Sequence, residues 1–332
     1  MNVRKTLSLA TLAVCVYFLI NYIMHHLSDF RGLSEISIGY VFLIGALWVV
    51  ILAVNGLFLK TLTIDFGISL SIRESFSLSV ITTFGNIFLP MRGGAGFRAV
   101  YLKSRYDFDY SFFLSSLAGN YLIVFNAASI VALIGMAVLY GCRGEINYPA
   151  AGAFSAFFVV TSWAIFFPPA SLNWIPFKWA GESLNRILSG WLQIRNSRKT
   201  VSNLLGLTFL YLFLASLTTW LEFAAFHMED ASGNAIGFFQ SSIYTSIAVL
   251  SLLVSITPSG LGIREGLLMV SSQFLGISPS QALAVSLLDR TIGSVILALL
   301  ACYAFIHIKK QLRSAVPISE ANNDAPLSAA DR

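Results

Sequence analysis

Charge is what this sequence has least of. Only 11% of its 332 residues are charged while 56% are hydrophobic, against about 25% charged in an ordinary soluble domain. That balance excludes a water-soluble globule. The longest polar stretches are the tail after Lys309 and the segment from Pro168 to Thr200. Neither is long enough for a separate soluble domain, so any chemistry is expected within or at a bilayer. Cysteine is equally sparse: Cys15, Cys142 and Cys302 have neither metal nor redox spacing, and an odd number gives no disulfide framework. His25, His26, His227 and His307 stand at the ends of apolar runs without metal-ligand spacing. No Gly-rich loop ending in Lys-Ser or Lys-Thr is present, so neither a metal, a cofactor nor directly bound ATP is expected. The net charge of +5 does not point to nucleic acid, because the cations stand in short loops beside apolar runs, where they set membrane orientation.

What the chain does have is a series of apolar runs, each able to cross about 30 Å of hydrocarbon. They are Thr6 to Leu27, Ile36 to Leu59, Tyr110 to Tyr140, Pro149 to Phe167, Val201 to Phe226 and Ser280 to His307. The first is too long for a signal-peptide core and lacks a small-x-small cleavage site, so it is expected to stay attached. Between Pro168 and Thr200, apolar residues Leu184, Ile187, Leu188, Trp191 and Leu192 recur at helical spacing among cations. They predict an amphipathic helix at the cytoplasmic interface or packed on the inner ends of the spans, with Trp174, Trp179 and Trp191 as interfacial anchors. Residues 317–332 read as a disordered cytoplasmic tail.

Two further runs are broken. Leu89 to Arg105, LPMRGGAGFRAVYLKSR, places Pro90, Gly93, Gly94, Gly96 and four cations where an apolar helix should continue. Ile256 to Leu267, ITPSGLGIREGL, repeats the pattern with Pro258, Gly260, Gly262 and Arg264, so that Gly96-Phe97-Arg98 corresponds to Gly262-Ile263-Arg264. Non-helical backbone at membrane depth is tolerated only where protein buries it or it lines a wet cavity, so both breaks predict re-entrant hairpins, 75–102 and 238–275, walling an internal site. With Arg4, Lys5, Lys60, Arg73, Lys103, Arg105, Lys178, Arg186, Arg195, Arg198, Lys199, Lys309, Lys310, Arg313 and Arg332 inside, and Arg31 and Arg143 outside, both termini are cytoplasmic. Each half, 1–140 and 149–308, then contributes three full crossings and one hairpin. An odd number of crossings turns the second half upside down relative to the first. The predicted fold is therefore an all-α polytopic membrane protein, six spans and two hairpins in an inverted repeat.

Charges at bilayer depth are costly and must be paired or functional. Arg92, Arg98, Arg264 and Arg290 face Glu222, Glu265 and Asp289 there. Arg98 and Arg264 stand near the expected restarts of half-helices, where free N–H groups and a positive dipole end favour an anion, and the guanidinium fork suits phosphate. Arg92, Arg98, Arg264 and Arg290, with Gly94, Gly96, Gly260 and Gly262, are the candidate substrate-binding residues. A second arrangement stays open, an ion-pair network joining Arg264 to Asp289 and Arg290 to Glu265. Glu222 is expected near the outer interface, and Arg92 either binds substrate or snorkels to the inner interface. Gly85 and Asn86 either line the cavity or serve helix packing.

On Pro90 to Arg98, Pro258 to Gly266 and Arg290, the chain resembles the lysylphosphatidylglycerol synthase transmembrane-region family, the flippase-like domain also found as stand-alone membrane proteins. The likeness runs from about Thr6 to His307. It implies lipid translocation without the aminoacyl-transferase chemistry; with the arginines at depth, the expected protein moves an anionic or phosphate-linked lipid between leaflets of a bacterial inner membrane. Envelope-biosynthesis proteins are the expected partners. Two other readings compete with a transporter. An integral-membrane glycosyltransferase acting on a polyprenyl-phosphate would need loop carboxylates, for which Glu229 and Asp230 are the available pair. A membrane scaffold would need no arginines at depth.

Overall fold

In the computed structural model, the residues described are Met24, 36–89, 93–144, 147–167, 178–254, Gly260 and 262–314. The long helices are α1 (Ile38–Ile64), α2 (Ile72–Phe88), α3 (Gly93–Tyr106), α4 (Tyr110–Arg143), α5 (Tyr148–Phe166), α6 (Lys178–Asn196), α7 (Arg198–Ala225), α8 (Phe238–Leu250), α9 (Ile263–Ser272) and α10 (Pro279–Ser314). Single 3₁₀ turns, Ser251–Val254 and Gln273–Leu275, prolong α8 and α9. Five helices, α1, α4, α5, α7 and α10, are long and apolar enough to cross a bilayer. They match five of the expected spans; the sixth, Thr6 to Leu27, and the tail lie outside the described residues. Large apolar side chains such as Phe42, Val160, Leu299 and Ile306 are exposed on the outer surface, as a lipid-facing boundary requires and a water-facing one penalises.

Local chemistry sets the helix ends. The Ser71 hydroxyl accepts from Glu74 N at 3.2 Å to start α2, and the Asn147 side chain accepts from Ala150 N at 2.9 Å to start α5. Gly144 ends α4 in the left-handed conformation, φ 73°, which glycine adopts without steric cost.

The second arm of each hairpin is short. At 1.5 Å per residue, α3 and α9 are about 21 and 15 Å long, short of the roughly 30 Å hydrocarbon core. Each pair returns to its starting point and is tied there. In the first hairpin, Glu74 near the start of α2 receives hydrogen bonds from Tyr101 (2.5 Å) and Tyr106 (2.8 Å) on α3 and an ion pair from Arg105 (3.2 Å). Arg105 also donates to the Gln311 carbonyl at the end of α10. In the second, Gln240 near the start of α8 donates to the Leu275 carbonyl at 3.1 Å, and Ala231 N donates to the Gly276 carbonyl at 2.7 Å.

One core forms around each hairpin. Leu52, Leu78, Tyr101 and Phe113 meet Leu297 and Ile308 of α10 around the first. Phe154, Phe223 and Tyr244 meet Leu268 and Leu283 around the second. The amphipathic helix α6 is docked on α4. A Cβ on Gly190 would fall 2.4 Å from Ser115 Oγ, and one on Gly119 would fall 2.5 Å from the Trp191 ring. Ser115 Oγ donates to the Ile187 carbonyl at 2.7 Å. Trp191 is 5% exposed and Ile194 is fully buried. Trp191 is thus a core residue and not the interfacial anchor its composition suggested, because two glycines let the helices approach closely enough to swallow the indole. Trp174 lies outside the described residues.

Candidate functional site

The two breaks differ once built. Pro90, Met91 and Arg92 lie outside the described residues, as does Pro258. Helix resumes at Gly93, so Gly94 and Gly96 are helical and do not form the extended loop expected there. Gly94 is where α3 crosses α2: its missing Cβ would fall 1.9 Å from the Thr82 carbonyl oxygen, and that of Gly85 would fall 2.6 Å from Gly94 Cα. A Cβ on Gly96 would meet open space. Gly85 therefore serves the crossing, while Asn86 beside it caps α3, its Oδ1 accepting from Ala95 N at 3.2 Å. Gly260 and Gly262 are required for backbone conformation, with φ of 67° and 82°, a region closed to most side-chain-bearing residues.

Arg98 is the sixth residue of α3, in its second turn. It lines a cavity of about 160 Å³ between α1, α2, α3, α4 and α7, together with Asn55, Thr82, Asn86, Asn120, Tyr121 and Tyr211. The guanidinium carbon stands 5.2 Å from the centre of the Phe113 ring. Its Nε is buried without a hydrogen-bond partner, and among the described residues no carboxylate forms an ion pair with it.

Arg264 is the second residue of α9 and lines a different cavity of about 170 Å³, with Trp48, Thr218, Thr219, Thr245 and Asp289. Here charge is balanced. Arg264 Nη2 meets Asp289 Oδ2 at 3.0 Å, and Arg290 Nε meets Glu265 Oε1 at 2.5 Å. Trp48 Nε1 donates to the other Asp289 oxygen at 3.0 Å. The indole fits because a Cβ on Gly293, one turn beyond Asp289, would lie 2.5 Å from its ring. The second Glu265 oxygen accepts from Gly262 N at 2.7 Å, and Ser286 donates to the first at 3.2 Å. The helix start in the second hairpin is therefore already occupied by its own carboxylate, whereas among the described residues the start of α3 is met by the neutral Asn86 amide.

Tyr211 and Leu252 line both cavities, so the two arginines stand on either side of a shared wall. Glu222 is 1% exposed, with one carboxyl oxygen lacking a partner. It stands near the C-terminal end of α7, where Phe223 beside it packs on Tyr244. Several lining residues escaped the sequence reading. Asn55 and Asn120 carried a signal, as lone amides inside apolar spans; Trp48 and Tyr211 carried none beyond their aromaticity.

Apolar helices of spanning length with large apolar side chains exposed on their outer surface define an integral membrane protein. The chain belongs to the lysylphosphatidylglycerol synthase TM region family, whose model matches residues 5–301. It is also 38% identical over 72 residues to the UPF0104 membrane protein MJ1595 of Methanocaldococcus jannaschii, a match covering 22% of this chain and 21% of that relative. Family membership ties the chain to membrane lipids.

Proposed function

We propose that this protein moves a lipid bearing a phosphate or other anionic headgroup between the leaflets of a bacterial inner membrane, with both termini cytoplasmic. The observation that carries this reading is the guanidinium of Arg98, which lines a polar cavity and has no carboxylate partner among the described residues. A buried cation without a counter-ion is expensive, and a headgroup phosphate entering the cavity would relieve that cost. The packing supports an inverted repeat. The first hairpin's α2 packs on α1 and α10, and the second hairpin's α8 packs on α7 and α4, so each half lends its last span to the other's hairpin. Alternating access about such a pseudo-two-fold is the established use of this architecture.

The ion pairs at the second hairpin favour a structural role for Arg264, Glu265, Asp289 and Arg290, the alternative open from sequence. Arg98, with Asn55, Thr82 and Asn120, is then the headgroup site, and Tyr211 divides it from the second cavity. Purified protein in liposomes, with and without an imposed pH gradient, tests the reading through leaflet exchange of a fluorescent phosphatidylglycerol. Protein-dependent exchange lost in Arg98→Gln is expected. Exchange unaffected by that substitution, or none at all, overturns it.

A further inference from the structure

A third cavity, of about 290 Å³, is larger than either polar one. By helical spacing it lies on the opposite face of α7 from the cavity of Arg264. Its walls are Val131 and Ile134 of α4, Phe209 and Phe213 of α7, and Phe238 and Phe239 of α8. Fully buried Leu212 forms the floor, while Ile134 and Phe213, each 53% exposed, form the rim. Phe213 and Phe238 meet across the contact of α7 with α8, their ring centres 5.7 Å apart. Next to Ile134, a Cβ on Gly135 would lie 3.2 Å from the Phe239 carbonyl oxygen, so α4 and α8 approach closely beside the groove. Two hydroxyls also line it, and neither is offered to an occupant. Ser242 Oγ donates to the Phe238 carbonyl at 2.9 Å, and Ser216 Oγ is buried within the wall. Among the described residues, no charged side chain lines the groove.

We propose that this groove is a binding site for one acyl chain of a bilayer lipid. Its position sets the occupant. Helices α4 and α7 are of spanning length and apolar, and the lining residues of α7 fall in the middle third of that helix, at the depth of lipid tails. What reaches an open apolar groove at that depth is hydrocarbon. A headgroup is excluded, because no group in the groove would compensate the loss of its water. A helix from a second copy does not fit either, since one turn, about 10 Å across and 5.4 Å long, takes up roughly 420 Å³. The hydrophobic effect gives the groove no advantage over the bilayer, because the tail leaves one apolar surrounding for another. The advantage is packing. An unfilled concavity forfeits dispersion contacts along its lining, and recovering on the order of ten carbon contacts gives about a tenfold preference over a flat lipid-facing surface. Because α8 belongs to the second hairpin while α4 and α7 are spans, a bound tail packs hairpin and spans together. The site takes a tail whatever headgroup it carries, so it is separate from the one at Arg98.

Photo-crosslinking of the purified full chain in nanodiscs tests the site. The probes are phosphatidylglycerol and phosphatidylcholine, each with a diazirine midway along one acyl chain, and adducts are mapped by mass spectrometry. Relative to exposed area, adducts should be about tenfold denser on Phe209, Phe213 and Phe239 than on Leu299 and Ile306 of α10, and equally so for both headgroups. Val131→Phe grows the α4 wall into the groove. It should bring the groove adducts down to the level of Leu299 while leaving the thermal midpoint unchanged or higher. Should that variant fold poorly, Ile134→Phe at the exposed rim should give the same loss of adducts. Adducts spread in proportion to exposure over all lipid-facing residues would make the groove ordinary annular surface and overturn the proposal. An unchanged density in the groove-filling variant, or a strong dependence on headgroup, also overturns it. So does capture of a second copy of the chain, in place of lipid, by a benzophenone attached at Phe213→Cys. Groove adducts without leaflet exchange would defeat the transport reading and leave this one standing; exchange without any preference for the groove would do the reverse.

Discussion

The Cβ that Gly94 lacks would lie 1.9 Å from the carbonyl oxygen of Thr82, so the two arms of the first hairpin cross at backbone contact. Gly94→Ala cannot be absorbed by a side-chain rotation, because the obstacle is main chain. It should cost at least the about 1 to 3 kcal/mol typical of overpacking, seen as a lower thermal midpoint in detergent. Gly96→Ala has open space and should hold or raise the midpoint, since alanine is the better helix former by about 1 kcal/mol. Equal behaviour of the two variants would show that the crossing is not what constrains this hairpin.

Arginines 98 and 264 should fail in different ways. Removing Arg264 leaves Asp289 with the Trp48 indole alone. Loss of one partner from a fully buried pair costs about 3 to 5 kcal/mol. At 21% and 17% exposure, this pair should fall at or below the lower end of that range. Adding Asp289→Asn should recover much of the loss. Arg98→Gln removes a cation that has no carboxylate partner among the described residues and should leave the thermal midpoint unchanged or higher while abolishing lipid exchange. A matching stability loss in both arginine variants would mean that Arg98, too, serves the fold.

Trp48 reaches Asp289 only because Gly293 clears its path. Trp48→Phe deletes a hydrogen bond to a charged group, a loss of about 1.5 to 3 kcal/mol. Gly293→Ala should produce much the same defect by pushing the ring away. In a double-mutant cycle the two changes should therefore be strongly non-additive; additive losses would separate the glycine from the indole.

An inverted repeat puts the open ends of the hairpins on opposite sides of the membrane. Ser104 after α3 and Ser278 before α10 are both exposed. In a background without accessible native cysteines, Ser104→Cys should react with an impermeant thiol reagent only from the cytoplasmic side, and Ser278→Cys only from outside. Labelling of both from one face would remove the basis for alternating access.

The sequence by itself determined the class of the protein and most of its span layout. Hydropathy over twenty residues reports burial in hydrocarbon directly, and Pro90 and Pro258 with their glycines interrupt it in a way that lipid cannot tolerate. It also singled out the membrane arginines, because a charge at that depth is conspicuous whatever surrounds it. Which arginine meets a carboxylate among the described residues was beyond its reach. Arg98 and Arg264 occupy equivalent places in matching motifs, yet Asp289 neutralises one of them, 25 positions away, and is itself steadied by Trp48, 241 positions away. The same holds for the glycines, where the motif marks Gly94, Gly96, Gly260 and Gly262 alike. Only the crossing with Thr82 and the left-handed backbone at Gly260 and Gly262 distinguish their roles. Trp191 follows the same rule, since the closeness of α4, set by Gly119 and Gly190, decided whether its ring met lipid or protein. Local pattern fixes what each residue prefers to be near; the packing of distant helices decides whether that preference is met, as it is for Arg264 by Asp289.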